Sequence, residues 1–506
     1  MAFESGSTLG LSQERAVVAA SSSPATGAGG NNSPIPPDKP VVRTSGVAKS
    51  SATQIEDAIA RADSLRSAGQ TATVIVDDGV HKRDDRVEID KSNLKIRINE
   101  YSSVRFKDGA SPTGVSGAQG GTKYPLLYIT EDDVEIINEG EIDGNVSNVD
   151  LTIGVWFSEV TGGGYRETAN GNIMEASEGL WAVDSSALTI RDVSNDGGVS
   201  TSLIVLEGCN DGTDIKNIRG KNINEVVDLN AYNDGALCEN IYGENIEEQI
   251  VDINSSPRTT VRDVRAGPGV EQAINATPGA GPRYSSKDNP DAHGITVDGV
   301  YGVYKGGDNK SAVIRLKIRS PTDMSRLQLL NLNLECKTDS SGNDYYGIRL
   351  TQEEFRTSLM NGLTIQGQIK HFDDTAVRLA PGNVHGGLKL DLLTVTPSGD
   401  PAVELINMDR VQGDLSMESV KSGEKGLVIK GDAGTLRFVD LNVLAQGDGT
   451  GVELGGSSGI EDARISGRVQ NKIKVGANCK RTVIDADYRN LIDNGTGTRE
   501  SLNPLV

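Results

Sequence analysis

The chain has 506 residues, with 71 acidic and 50 basic side chains, a formal net charge of −21, 60 glycines and only 4% aromatics. The length predicts about three ordinary domains or one long repeat array. The acidic balance argues against a nucleic-acid partner, whose phosphates call for Lys and Arg. The absence of any 18-residue apolar run argues against a membrane-spanning helix, and four scattered cysteines (Cys209, Cys238, Cys336, Cys479) without a CxxC pair argue against a disulfide scaffold or a zinc ribbon.

Residues 1–50 are rich in Ser, Gly, Ala and Pro, with SSSPATGAGGNNSPIPPDKP at their centre. Such a stretch buries too little apolar surface to offset its ordering entropy. It is expected to be an anchor or linker that orders against a partner. The start, MAFESGSTLGLSQERAVVAASSS, carries an acid where a secretory signal would be basic, and its apolar stretch from Ala16 to Ala20 is too short for a signal core. No classical export signal is therefore expected.

Residues 51–70 predict a helix. Thr53 with Glu56 fits a capping box, and Ala52, Ile55, Ile59, Ala62 and Leu65 make an apolar stripe at helical spacing. Ala72 to Val76 reads as a strand and Asp77-Asp78-Gly79 as a turn; further strands are expected at residues 86–89, 94–98 and 103–106. No second strong helix signal follows, although QEEFRTSLM at 352–360 could hold a turn or two.

The dominant signal is a repeat. Leu203-Ile204-Val205-Leu206-Glu207, Val227-Asp228-Leu229-Asn230-Ala231 and Val251-Asp252-Ile253-Asn254-Ser255 align at a spacing of 24. Between them, Lys216-Asn217-Ile218-Arg219-Gly220 recurs as Glu239-Asn240-Ile241-Tyr242-Gly243 at a spacing of 23. Later copies are TAVRL (375–379), PAVEL (401–405), GLVIK (426–430) and TGVEL (450–454); in GLVIK the phase slips so that Leu427 and Ile429 face inward. Short strands separated by Gly, Asn and Asp turns at this period predict one coil per period of a right-handed, single-stranded parallel β-helix, an all-β fold with an N-terminal capping helix. Alternation then sends Val227 and Leu229 into the lumen and Asp228 and Asn230 outward. A leucine-rich solenoid is disfavoured because no regular Leu ladder is present. The expected divisions are 1–50 (anchor), 51–110 (capping helix and first coils), 111–490 (β-helix body) and 491–506 (tail).

A short amphipathic helix, then ATVIVDDGVHKR at 72–83, then irregular coils, resembles the pectin-lyase-like β-helix superfamily over roughly residues 51–490. That superfamily includes polysaccharide lyases, polygalacturonases and the tailspikes of tailed viruses. The resemblance implies that the first helix covers the open end of the lumen, where an exposed strand edge would otherwise be sticky. It says little about function, since one fold hosts many. Ala292-His293-Gly294-Ile295 and Arg315-Leu316-Lys317 partly resemble the GHGI and RIK motifs of polygalacturonases, in which the His assists catalysis and the basic pair binds a carboxylate sugar. Ala292 replaces the first Gly, the gap is about one coil short, and no NTD motif or adjacent Asp pair lies upstream. A vestigial or coincidental match is the preferred reading.

Three sets of residues stand out chemically. Asp228 and Asp252 occupy equivalent outward positions and would stack at the separation of a retaining glycosidase pair, or simply be two solvated acids. With His293 they form the candidate catalytic set. Trp156, Tyr165, Arg166, Trp181, Tyr345 and Tyr346 lie in or near Gly-rich loops and are candidate glycan contacts, with core packing as the alternative for Trp156, Trp181, Tyr165 and Tyr345. His81, His371 and His385 show no metal spacing, so neither metal nor other cofactor is expected. An anchor-like head without an export signal, followed by a capped β-helix, resembles viral spikes and fibres more than secreted pectinolytic enzymes. The resemblance implies a virion-surface, extracellular protein, a homotrimer, that binds a host surface glycan or glycoprotein and attaches to the virion through residues 1–50. The dispersed acidic excess suits a halophilic archaeal virus. The alternatives are a polysaccharide-cleaving β-helix enzyme and a cell-surface adhesin or coat protein.

Overall fold

Alternation decides the architecture. Val227 and Leu229 are fully buried, and one coil later Val251 and Ile253 stand directly opposite them, also fully buried. The computed structural model describes residues 39–47, 53–116, 121–168, 170–209, 212–230, 232–277, 292–305, 312–318, 324–337, 345–352, 361–372, 375–395 and 401–500. Most of the expected anchor at 1–50 and the 353–360 part of QEEFRTSLM lie outside these residues.

Among the described residues, 32 strands join into one continuous ladder, and four more (Gly79–Arg83, Ser102–Phe106, Glu141–Asp143 and Asn172–Met174) form a second stack. The coil-to-coil pairings are parallel, as a right-handed parallel β-helix requires; the one exception among the described strands is the short Val115–Ser116 strand, which pairs antiparallel with Lys123 and Thr122 in a small hairpin. From Pro40 onward the chain is one compact unit. All four cysteines are buried, and none forms a disulfide among the described residues.

The segment Asp214–Asn230 shows how one coil is built. It runs straight to Lys216, turns at Asn217, runs to Lys221, turns again at Asn222, and runs on to Asn230. Asn217 and Asn222 take the left-handed conformation, at φ 56° and 53°, and so do Asn240 and Asn245 one coil later, at 56° and 51°. Asn tolerates this region better than other residues with a side chain. The corner amides also bond to one another along the stack. Asn240 Nδ2 donates to Asn217 Oδ1 at 2.9 Å, Asn217 Nδ2 to Asp192 Oδ1 at 2.8 Å, and Asn245 Nδ2 to Asn222 Oδ1 at 3.0 Å. The recurring Asn of the sequence repeat is thus a corner residue.

The register explains why spacings of 23 and 24 coexist. Ile223 pairs with Ile246, but Glu225 pairs with Gln249, because a bulge inserts one residue in the second coil. The preceding coil has no such insertion relative to its successor. Ile204, not Leu203, stands opposite Val227, and Val205 is the partner of Asp228. The alignment of LIVLE is therefore corrected by one residue. The C-terminal copies stack as expected, Val377–Val403–Leu427–Val452 and Leu379–Leu405–Ile429–Leu454, including the slipped GLVIK.

Helix α1 (Gln54–Leu65) buries Ile55, Ala58, Ile59 and Ala62 in the main core against the first strands, leaving Leu65 exposed. The capping box does not form. The Thr53 hydroxyl bonds the Asp57 carboxylate at 3.1 Å, and Glu56 instead pairs with Arg83, a buried guanidinium that needs an anion more than the helix end needs a cap.

Replacing Asn240 by Ala is expected to lower stability by about 1–2 kcal/mol, because Ala strains at this corner and the amide stack is broken. Asn240→Gly, which relieves the strain and loses only the amide, costs less. Denaturant unfolding of both variants distinguishes the two contributions; equal losses would refute the strain argument.

Candidate functional site

Because coils stack in register, outward side chains form columns that run along the helix. One column reads Tyr128–Trp156–Trp181–Val205–Asp228–Asp252–Asn275–Arg315–Arg349–Arg378–Glu404. It passes from aromatic to acidic to amide to basic within a few coils, and it holds four of the nine candidate residues, Trp156, Trp181, Asp228 and Asp252.

At its aromatic end, Trp156 and Trp181 stack with ring centroids 5.3 Å apart at 13°, and Tyr128 meets Trp156 edge-on at 6.1 Å. With Ile153, Val183 and Val205 they make a small apolar cluster separate from the lumen core. Lys123 Nζ lies 5.1 Å from the Trp181 ring centre and pairs with Glu178 at 2.9 Å. Both indoles are 1% exposed, and neither Nε1 has a hydrogen-bond partner. The tryptophans thus face outward yet are covered, neither lumen filling nor a free sugar platform.

Asp228 and Asp252 follow on adjacent coils, 7% and 8% exposed. Asp252 accepts hydrogen bonds from Asn254 Nδ2 at 2.7 Å and Asn275 Nδ2 at 2.8 Å. Asp228 Oδ1 is buried without a partner. Burial pushes the Asp228 carboxyl well above the usual range, and the negative charges of Glu225, Asp252, Glu207 and Glu248 push it further. Burial also raises Asp252, but its two amide donors hold it back. Asp228 is therefore the proton holder of the pair and Asp252 the first to ionise. Glu225 accepts from Ser202 Oγ at 3.0 Å and from Gln249 Nε2. Glu248 also lines a groove of about 730 Å³ with Asn222, Asn245, Ile246, Glu247, Gly269 and Glu271.

The remaining candidates disperse. His293 sits at a corner before Thr296–Lys305, its carbonyl accepting the Arg258 amide at 2.8 Å. The coil after Asp252 contributes Asn275 instead, so the column does not contain His293. Arg315 of the RLK segment does join it, in register with Asn275. Tyr165 is in the lumen core, bonded to Glu167 at 2.9 Å and Asn138 at 3.0 Å. Tyr345 is also in the core, stacked on Phe372 at 5.8 Å. Tyr346 lies under the guanidinium groups of Arg349 and Arg378, at 5.0 and 5.6 Å. All five rings are at most 3% exposed. Arg166 alone of that set has an accessible side chain; it pairs with Glu135 at 3.2 Å beside a hollow of about 290 Å³ that Arg191 also lines. The loop at 279–291 lies outside the described residues, and among those described no cluster of three metal-ligating side chains occurs.

Sequence reasoning missed Glu225, Glu248, Asn275 and Arg315 as neighbours of the acid pair. The signal for Asn275 was present: Ile274-Asn275-Ala276-Thr277 is the third copy of Val251-Asp252-Ile253-Asn254.

No protein-family model matches the chain, and no curated protein matches it. Among solved structures, a mutant tailspike protein of E. coli bacteriophage HK620 in complex with a pentasaccharide superposes with a TM-score of 0.51 at 11% identity, covering 88% of this chain and 76% of that one. The tailspike without mutation, also with a pentasaccharide, gives 0.45 at 11% identity over 88% and 76%. An exopolygalacturonase from Thermotoga maritima gives 0.35 at 12% identity over 91% and 92%. At these identities the likeness is one of fold.

Burial pushes the Glu167 carboxyl up from 4.5 to about 8, against the pull of the Ser194 amide and the Tyr165 hydroxyl. Between those values the folded chain holds a proton that the unfolded chain has released, so stability falls as pH rises through this window. Thermal midpoints measured across it are expected to decline in the wild type and to follow a flatter curve in Glu167→Gln. An unchanged slope in the variant would remove Glu167 as a source of the pH dependence.

Proposed function

We propose that the chain is a virion spike or fibre that binds host surface glycan along the outward face of its β-helix. The observation that carries this reading is the column on which Asp252, Asn275 and Arg315 follow one another coil by coil. A glycan chain offers hydroxyls and ring oxygens at intervals, and a column of carboxylate, amide and guanidinium groups held on rigid strands can match them without paying for side-chain ordering. The shared fold with a tailspike bound to a pentasaccharide supports the same reading. Attachment through residues 1–50, a homotrimeric state, a place on the virion surface and a halophilic source belong to this proposal. The acidic surface supports the source, and cyclic assembly is the common habit of long shafts.

The acid pair favours a second reading, cleavage of the bound glycan. Residues in register on adjacent coils stand about 4.8 Å apart, close to the separation of about 5–5.5 Å at which one carboxyl acts as nucleophile and the other as acid in retaining hydrolysis. Two carboxyls whose surroundings give them different proton affinities form a natural acid and nucleophile pair. In this role Asp228 would protonate the leaving oxygen and Asp252, ionised first, would attack.

The test is to incubate the purified chain with a panel of envelope polysaccharides, measuring both retention of glycan and release of reducing ends. Binding is expected. If the second reading holds, Asp252→Asn lowers release by about 100-fold or more while retention persists. Retention without release in the wild type leaves the spike reading and removes the hydrolase. Failure of the wild type to retain any glycan overturns both.

A further inference from the structure

We propose that a second outward column, on a different run of each coil, forms a groove for an acidic glycan chain. The proposal rests on the reading of the chain as a glycan-binding shaft and adds a second binding face, beside the Asp252–Asn275–Arg315 column, and its class of sugar.

The column begins Arg219–Tyr242–Arg265–Tyr301, each residue in register with the next. It continues through Asn333 and Gln368 to Leu444. Its nine positions span about 38 Å at about 4.8 Å per coil, long enough for an oligosaccharide laid parallel to the helix axis. Two hollows lie end to end along it. One of about 470 Å³ is lined by Arg219, Tyr242 and Arg265 with the corner amides Asn217 and Asn240. The other, of about 710 Å³, starts at Tyr301 and ends at Leu444.

The first hollow carries positive charge that its own acids leave largely uncompensated. Its Arg219 and Arg265 are exposed in a molecule of net charge −21. Arg265 has no ion-pair partner among the described residues, and Arg219 meets the Glu244 carboxylate only at 4.0 Å. The Arg219 guanidinium lies 5.1 Å from the Tyr242 ring centre, which holds it in place without neutralising it. Tyr242 and Tyr301 are half-buried, unlike the fully covered rings of the other column. Exposed guanidinium groups alternating with tyrosine rings suit a sugar that carries a carboxylate or sulfate: the fork binds the anion and the ring stacks on the apolar sugar face. The second hollow continues the chain with neutral recognition. Gln366 Nε2 bonds Asp391 at 3.1 Å and Asn442 Nδ2 bonds Asp414 at 2.9 Å, an amide and carboxylate row able to take hydroxyls, with the exposed Leu444 as apolar support.

The experiment titrates the full chain with three acidic probes, oligogalacturonate, a heparin-derived oligosaccharide and oligosialic acid, beside a malto-oligosaccharide of equal length. At least one acidic probe is expected to bind, more weakly as salt rises. Arg265→Gln and Tyr301→Ala should each weaken that binding about tenfold and keep the wild-type thermal midpoint. Asp252→Asn, on the other column, should weaken it less than either groove variant. Acidic probes that bind wild type and both groove variants equally, or none that binds, overturn the groove. If Asp252→Asn alone weakens retention, recognition lies on the acid face and the spike reading survives without this groove; a chain that retains no glycan in any assay loses both.

Discussion

In-register stacking of successive coils is the constraint on which everything else depends. A single coil has no interior of its own, since its aliphatic side chains point at empty space until a neighbour covers them. Stacking buries Val227 against Val251 and, by the same displacement, pairs the strand backbone of one coil with that of the next, apart from corners and a bulge. Side-chain alternation then leaves no freedom outside. Once Val227 and Leu229 face the lumen, Asp228 and Asn230 must face away from it, each above its counterpart.

The consequence is that outward chemistry is organised in columns rather than in loops. A substitution in one coil changes one rung, and its neighbours along the column are fixed by register whatever their sequence separation. Asn275 and Arg315 are 40 residues apart in the chain yet adjacent in the column. The corners behave likewise. Left-handed asparagines recur because each turn must repeat the one below, and their amides then satisfy one another along the stack. The inserted residue between Ile246 and Gln249 is absorbed as a bulge and does not propagate, since the lumen residues on either side of it stay in phase.

What the sequence revealed, and what it hid, follows from this division. Inward positions were legible because alternation and aliphatic identity point to the same answer, so Val227, Val251, Leu427 and Ile429 all lie where the pattern places them. The stacking of Asp228 on Asp252 was legible by the same rule. Ring exposure was not. Tyr165 and Tyr346 sit beside Gly-rich stretches that look like surface loops, yet each has a cross-coil partner remote in sequence, Asn138 for Tyr165 and Arg378 for Tyr346. Tyr242 posed the opposite problem: its repeat position was recognised, but its exposure depends on Arg219 and Arg265 on the flanking coils. The capping box failed for a similar reason, because Glu56 is claimed by Arg83 from a later strand.

The two columns also differ in how water reaches them, and that difference gives each its chemistry. Around Asp228 the carboxylates are close and mostly covered, so charge is costly there and protons are held; the amides of Asn254 and Asn275 decide which oxygen ionises first. Such a site is poised for proton transfer and offers little for long-range attraction. Around Arg265 the side chains are exposed and charge is cheap, so the guanidinium stays ionised and accessible to an incoming anion, though screened by water and salt. A rigid shaft can hold both regimes side by side because its strands fix which face each residue occupies, and neither face has to rearrange for the other to work. Under the proposed readings, attraction of an anionic chain on the wet face and bond chemistry on the dry one would be separable properties of one scaffold, each set by the column on which a residue falls.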